Sequence, residues 1–226
     1  MTIAIGALSP EGAVLVGDSM NWLGTPTGTH GFLRPKPPRV AAGIAWVHSG
    51  SNLYGVDHAR ELEAALAGDS ETTFYARGWA LKSIVTPLSE AEVVIEAMHY
   101  NKLDLSAEDQ IQLGAQAVIC ASVPSGELCM ITDDDERWAT ERGLFVVGAA
   151  SQWAHDQGFD EHPGPTTLLE ATALVRVIAD GYIKHQYGGR TLADFAAEGV
   201  VPPVAYPLHF LSILPTGATL EWSVNE

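Results

Sequence analysis

Two antiparallel β-sheets stacked between helical layers, a four-layer αββα sandwich of the α+β class, are what this sequence predicts. Three observations lead there. First, strand signals come as pairs of short apolar runs around tight turns: "SPEG" joins the first two runs and "PTG" joins the last two. Second, helical periodicities arrive in pairs between these hairpins, which argues against a doubly wound βαβ sheet. Third, a chain of 226 residues with 46% hydrophobic and 18% charged residues can bury one sizeable core. No internal repeat and no linker composition interrupts it, so residues 1–226 are expected to form a single domain.

The elements follow in chain order. Ile3 to Leu8 and Ala13 to Asp18 read as strands of a hairpin. "NWLGTPTGTHG" reads as a Gly/Thr/Pro loop, followed by "FLRPKPPRV" and the strand-like "GIAWVHSG". From Ser51, a candidate N-cap, the spacing of Leu53, Val56, Leu62 and Leu66 is near-helical. A second helical region runs from about 74 to 100, interrupted at Pro87 and restarted by the capping box of Ser89 and Glu92. Strands return in "AQAVICASV", "ELCMITD", "RWATE" and "LFVVG", and "ASQWAHDQG" reads as a third helix. The fourth is the best marked. Thr167 and Glu170 form a capping box, Ala171, Leu174, Val175, Ile178 and Tyr182 share one face, and Gly188-Gly189 end it. "TLADFAAEG" is a short extra helix, and "YPLHFLSIL" with "ATLEWSV" close the chain as a hairpin.

Charge and composition exclude several functions. The net charge of −16 opposes binding to nucleic acid or to anionic membrane. No apolar run approaches the ~20 residues needed to span a bilayer. The start of the chain lacks a basic region and turns polar at Ser9, so no signal peptide is expected and the location is read as cytoplasmic. The eight histidines are scattered without metal-ligand spacing, so no metal or other cofactor is expected. A turn centred between Ser125 and Gly126 pairs Cys120 with Ile131. The two cysteines, Cys120 and Cys129, are then out of register and are expected as reduced core thiols.

One constellation carries chemistry. Removal of Met1 leaves Thr2 with a free α-amine beside its own hydroxyl. A threonine hydroxyl is a weak nucleophile until a base takes its proton, and the α-amine, with an unperturbed pKa of about 7.7–8.0, can be that base. A hairpin centred on Pro10-Glu11 brings Asp18 opposite Ile3, next to Thr2. A carboxylate there can hold an ammonium, which depresses the pKa of the amine and polarises the hydroxyl. Lys36 in "LRPKPPRV" is the first candidate, with Arg34 and Arg39 as alternatives that cannot take part in proton transfer. Gly50 in "VHSGSN" fits a backbone N–H donor for an oxyanion.

These residues together resemble the β-type subunits of the proteasome family. That family is the threonine branch of the N-terminal nucleophile (Ntn) hydrolases, with the bacterial relatives HslV, Anbu and the β-proteobacterial proteasome homologue. "TIAIGALSPEGAVLVGDSM" resembles the family's opening threonine, hairpin and "DSR"-like step. "HSGSNLYGVDHARELE" resembles its glycine and first helix, "LFVVGAASQWAHDQGFDE" its "GSGS-x-YA", and "LLEATALVRVIADGYIKHQYGG" its next helix and Gly-Gly turn. The similarity covers most of residues 2–189 and leaves 190–226 as a divergent extension with the closing strands.

The resemblance implies the Ntn-hydrolase fold and an amide hydrolase or peptidase acting on peptide or unfolded protein. Thr2 is then nucleophile and base, Lys36 lowers its pKa, Asp18 holds Lys36, and the Gly50 amide serves the oxyanion. The specificity pocket falls at Met20, Arg34, His48 and Asn52, with His48 at its floor, so a polar or narrow pocket is expected. The resemblance also implies homo-oligomeric stacked rings, fourteen subunits as first choice and twelve or an open spiral as alternatives, with an unidentified ATPase or regulator as a further partner. Apolar residues at Trp79, Ile84, Val93, Val94, Met98, Trp153 and Val177 fit such packing. The sequence departs from the family pattern at Met20, where the family has arginine, at Ala149, where it has a serine supporting the α-amine, and at His185 and Gly188, where it has Asp and Ser. These departures point to the alternative, a catalytically weak or inactive ring-forming structural or binding subunit. A small-molecule amidase or transferase would use the same site.

Overall fold

The computed structural model describes residues 3–25, 28–33, 36–41, 43–49, 117–132, 135–198, 202 and 204–225, and the structural statements below concern these residues. The expected helical stretches at 51–66 and 74–100 lie outside them. So do Thr2, Arg34, Gly50 and Asn52, and the apolar positions Trp79, Ile84, Val93, Val94 and Met98.

The described strands, in chain order, are β1 (Ile3–Ser9), β2 (Gly12–Gly17), β3 (Met20–Thr25), β4 (Gly28–Leu33), β5 (Arg39–Ala41), β6 (Ile44–Ser49), β7 (Ala117–Ser122), β8 (Leu128–Thr132), β9 (Glu136–Ala139), β10 (Gly143–Gly148), β11 (Leu208–Ile213) and β12 (Thr219–Val224). The described helices are α1 (Ser151–Asp156), α2 (Leu168–Tyr187) and α3 (Leu192–Glu198), with a 3₁₀ turn at Phe159–Glu161. One antiparallel sheet has the order β10-β1-β2-β11-β12 and a second the order β5-β6-β7-β8-β9.

β1 and β2 lie at the centre of the first sheet, and every residue of both is buried. Their alternation serves two cores. Ala4, Leu8 and Leu15 face the second sheet and pack with Val47, Ile119 and Leu128. Ile3, Ile5 and Val16 face α2 and pack with Ile178, Tyr182 and Phe210. The described residues thus form helix on sheet on sheet. Each fully buried aliphatic side chain contributes about 1.5–3 kcal/mol. Among the described residues no helix is long and apolar enough to cross a membrane.

α2 forms where its signals predict. Thr167 Oγ1 accepts the Glu170 N–H at 3.1 Å. The reciprocal half of the capping box is displaced by one residue, because the Glu170 carboxylate accepts the Thr166 N–H and hydroxyl, each at 2.7 Å. Gly188 ends the helix at φ 59°, a left-handed conformation that glycine adopts at little cost, and its N–H reaches the Lys184 and His185 carbonyls. Ala171, Val175, Ile178 and Tyr182 are buried, and Leu174 packs against the same core.

Two expectations are corrected. The stretch "NWLGTPTGTHG" is not a loop: β3 and β4 pair antiparallel from Met20↔Leu33 to Thr25↔Gly28. Trp22, Thr25, Thr29 and Phe32 are strand formers, and backbone pairing outweighs the glycines between them. The β7–β8 hairpin is centred one residue earlier than expected, so Cys120 lies directly opposite Cys129 rather than Ile131. Ser122 sets that register. Its N–H donates to the Glu127 carbonyl at 3.0 Å and its hydroxyl accepts the Glu127 N–H at 2.9 Å, closing the loop over 123–126. Both thiols are free and buried, and burial, followed by the contact with Cys129, pushes the Cys120 thiol up.

Candidate active site

The site begins with the β1–β2 hairpin. Pairing runs from Ser9↔Gly12 to Ala4↔Gly17, so the next step brings Ile3 beside Asp18. The Ile3 N–H donates to Asp18 Oδ1 at 3.2 Å, and the Asp18 carboxylate is fully buried. Asp18 is therefore tied to the first described residue of β1, one position past Thr2.

Lys36 reaches the same oxygen. Its Nζ lies 3.3 Å from Asp18 Oδ1, with the lysine side chain only 13% exposed. The sequence arranges this locally in two ways. Pro37 steers the Lys36 backbone away from helix, as a proline does to the residue before it. Gly17, lacking a side chain, lets the Lys36 carbonyl pack directly on β2. Burial lowers the ammonium from its ordinary pKa, and the charge and hydrogen bond of Asp18 oppose that shift. A lysine so held can act as a fixed positive charge or pass a proton nearer neutrality than a solvated one.

Three residues not anticipated as site residues complete the surroundings. Ser19, also buried, donates its hydroxyl to the Pro207 carbonyl at 2.7 Å and lies 2.7 Å from His209 Nε2. His209 sits on β11 directly opposite Gly17. Burial lowers its pKa and the charge of Asp18 raises it. Tyr182, on the buried face of α2, is pushed up by burial and then by Asp18. Ser19 had a local signal, as the residue following Asp18. A lone histidine in the apolar run "LHFLSI" was the only signal for His209.

His48 lies on β6 opposite Val118, partly buried. Its pKa is lowered to about 4 by burial and then by the positive charges of Lys36 and Arg39. The ring is thus neutral at physiological pH, a hydrogen-bonding group beside two cations. Met20 opens β3. Thr2, Gly50, Arg34 and Asn52 lie outside the described residues, so the described constellation is Asp18, Lys36, His48 and their neighbours. On the far side of β1, Ile3 pairs with Gly148, next to Ala149. The exposed Ser151 donates its hydroxyl to the Gly148 carbonyl at 2.9 Å.

No known protein-family model matches the chain, and no curated protein matches it. Among solved structures it is similar to a mutant of Anbu from Hyphomicrobium sp. strain MC1, at 13% sequence identity and a TM-score of 0.63, covering 100% of this chain and 87% of that one. The chain thus shares the fold of a bacterial proteasome-like Ntn hydrolase. Anbu is among the relatives whose resemblance the opening hairpin and its "GDS" step carry.

Proposed function

We propose that this chain is a proteasome-like, threonine-type N-terminal nucleophile hydrolase of peptides or unfolded protein. In this reading residues 1–226 form one four-layer αββα domain that assembles into self-compartmentalised stacked rings in the cytoplasm. Removal of Met1 frees the Thr2 amine. The Thr2 hydroxyl attacks the substrate carbonyl carbon and passes its proton to that amine, and the Gly50 N–H receives the developing oxyanion. The tetrahedral centre then collapses as its C–N bond breaks: the amine product leaves with the proton held on the Thr2 amine, and an ester remains on Thr2. Water, giving a proton to the Thr2 amine, attacks that ester; its C–O bond breaks, the carboxylic acid departs and the proton returns to the Thr2 hydroxyl. Lys36 lowers the pKa of the amine, and Asp18 holds Lys36.

The single observation that carries this reading is the double use of Asp18 Oδ1, which meets the Ile3 N–H at 3.2 Å and Lys36 Nζ at 3.3 Å. A buried carboxylate ties an ammonium to the start of the first strand, where an N-terminal nucleophile needs it. Mature protein with Met1 removed should be covalently modified at Thr2 by a β-lactone or an epoxyketone, and Thr2→Ala should abolish both labelling and turnover. Labelling at another residue, or activity surviving Thr2→Ala, would sink the assignment.

A second reading is favoured by Ser151. It is the nearest serine to Ala149, yet its hydroxyl is bound to the Gly148 carbonyl. With no serine hydroxyl at 149 to support the amine, the chain would be a ring-forming structural or binding subunit without turnover. Intact mass separates the two: retention of Met1 blocks the α-amine and selects this second reading.

A further inference from the structure

The closing segment of the chain, which the family resemblance does not reach, grips the Asp18–Ser19 step. The Ser19 N–H donates to the Ala205 carbonyl at 3.2 Å. The Ser19 hydroxyl donates to the Pro207 carbonyl at 2.7 Å. A serine hydroxyl carries one proton and a carbonyl only accepts. The 2.7 Å contact between Ser19 Oγ and His209 Nε2 is therefore an Nε2–H donating to Ser19. A neutral ring with its proton on Nε2 has a lone pair on Nδ1, which takes the Ser223 hydroxyl at 3.1 Å. The chain of donors runs from Ser223 on β12, through His209 on β11, to Ser19 and Pro207. The same segment is anchored to α2, because the Tyr206 hydroxyl donates to Asp180 Oδ1 at 2.7 Å.

Strand pairing does not explain His209. β11 already pairs with β2 at His209↔Gly17 through the backbone, and an aliphatic residue there would pair equally well. The imidazole adds a directed hold on the residue that follows Asp18. We propose that His209 is a positioning residue for the Asp18–Lys36 pair. By fixing Ser19 it fixes the Asp18 backbone, which keeps Oδ1 between the Ile3 N–H and Lys36 Nζ. Among the described residues, the ionisable groups that sense Asp18 include Lys36, Tyr182 of α2 and His209 itself. The link from this pair to catalysis rests on the hydrolase reading above.

Two readouts test it on the full-length chain. Competitive acetylation with acetic anhydride across pH, read by mass spectrometry, gives the midpoint at which Lys36 deprotonates without requiring turnover. Modification of Thr2 by a β-lactone gives the reactivity of the nucleophile. In His209→Leu the Lys36 midpoint should fall, because Asp18, which raises it, is no longer held in place. Thr2 labelling should slow on the order of tenfold, the scale expected of a displaced catalytic pair. His209→Gln, whose amide N–H can replace the Nε2–H, should restore both. Equal Lys36 midpoints in all three proteins, or the same displacement in both variants, would overturn the proposal. Absence of Thr2 labelling in the unsubstituted chain overturns the hydrolase reading instead, and the Lys36 midpoint still decides the role of His209.

Discussion

The carbonyl oxygen of Lys36 rests on the α-carbon of Gly17, so closely that a Cβ at position 17 would stand 2.6 Å from it and 3.2 Å from Val47 Cγ2. The contact is with backbone on one side and a packed core residue on the other, so neither yields cheaply. Gly17→Ala must push Lys36 away from β2 and stretch its 3.3 Å contact with Asp18. The expected cost is about 1–3 kcal/mol, the range for overpacking a filled site. It should appear as a lower urea midpoint, together with slower labelling of Thr2. A variant with unchanged midpoint and labelling would show that Lys36 is not held from this side.

Asp18 and Lys36 also make a stability prediction. Breaking a buried ion pair from one side is costly, whereas replacing both members with uncharged groups is often nearly neutral. Asp18→Asn should destabilise by about 3 kcal/mol. Asp18→Asn combined with Lys36→Met should recover most of that while Thr2 labelling stays lost. The pH dependence has a defined sign. The folded-state pKa of Lys36 lies below 10.5, so between the two values the unfolded chain binds more protons and stability rises with pH. Removing Asp18 removes an influence that raises that pKa, so the alkaline rise should begin at lower pH in Asp18→Asn. Urea titrations at a series of pH values measure both effects, and an additive double variant would contradict the pairing.

The opening of the chain was legible because its signals are local. "SPEG" separates two apolar runs, and counting outward from that turn sets Ile3 beside Asp18, as the Ile3 N–H to Asp18 contact bears out. α2 was legible from Thr167 at one end and Gly188 at the other. Where signals conflicted, reading failed. Glycines hid β3 and β4 among turn residues, and a serine hydroxyl moved the β7–β8 register by one position on each strand. The hold on Ser19 was illegible for another reason. Ser19 and His209 are 190 residues apart in sequence, and no local pattern encodes a contact that only the sheet order β2-β11 creates.

His48 predicts the acid limb of stability. Its pKa is about 4 when folded and near 6.5 when unfolded, so the unfolded chain binds the extra proton between those values. The neutral ring therefore contributes stability that is complete above pH 6.5 and lost as pH falls towards 4. The full shift corresponds to about 3 kcal/mol, and partial exposure of the ring reduces what is realised. His48→Gln should flatten the slope of unfolding free energy between pH 4 and 6.5. Superimposable slopes in the two proteins would remove His48 from the acid limb and place its pKa near the ordinary value.

Assembly is the most exposed prediction. Leu169 is 80% exposed and Val177 is 57% exposed on α2, the helix that covers the first sheet, and Leu220 is 63% exposed on β12. Trp153 is different: it is half-buried against Phe159, Tyr182 and His185, and the chain itself covers it. Two large aliphatic side chains standing free on one helix are what a neighbouring subunit would bury, and closed symmetry leaves none of them outside. Each chain also carries a net charge of −16, which opposes bringing copies together. Screening shortens that repulsion from about 10 Å at 0.1 M salt to about 3 Å at 1 M. Native mass spectrometry or light scattering should therefore find a homo-oligomer, fourteen subunits as first choice, that tightens as salt rises. Leu169→Lys with Val177→Lys should shift it towards smaller species without lowering the unfolding midpoint of the subunit, since neither side chain belongs to the core. A stable 24.1 kDa monomer at micromolar concentration in the unsubstituted protein would remove the ring, and with it the enclosed chamber on which the compartmentalised-hydrolase reading depends.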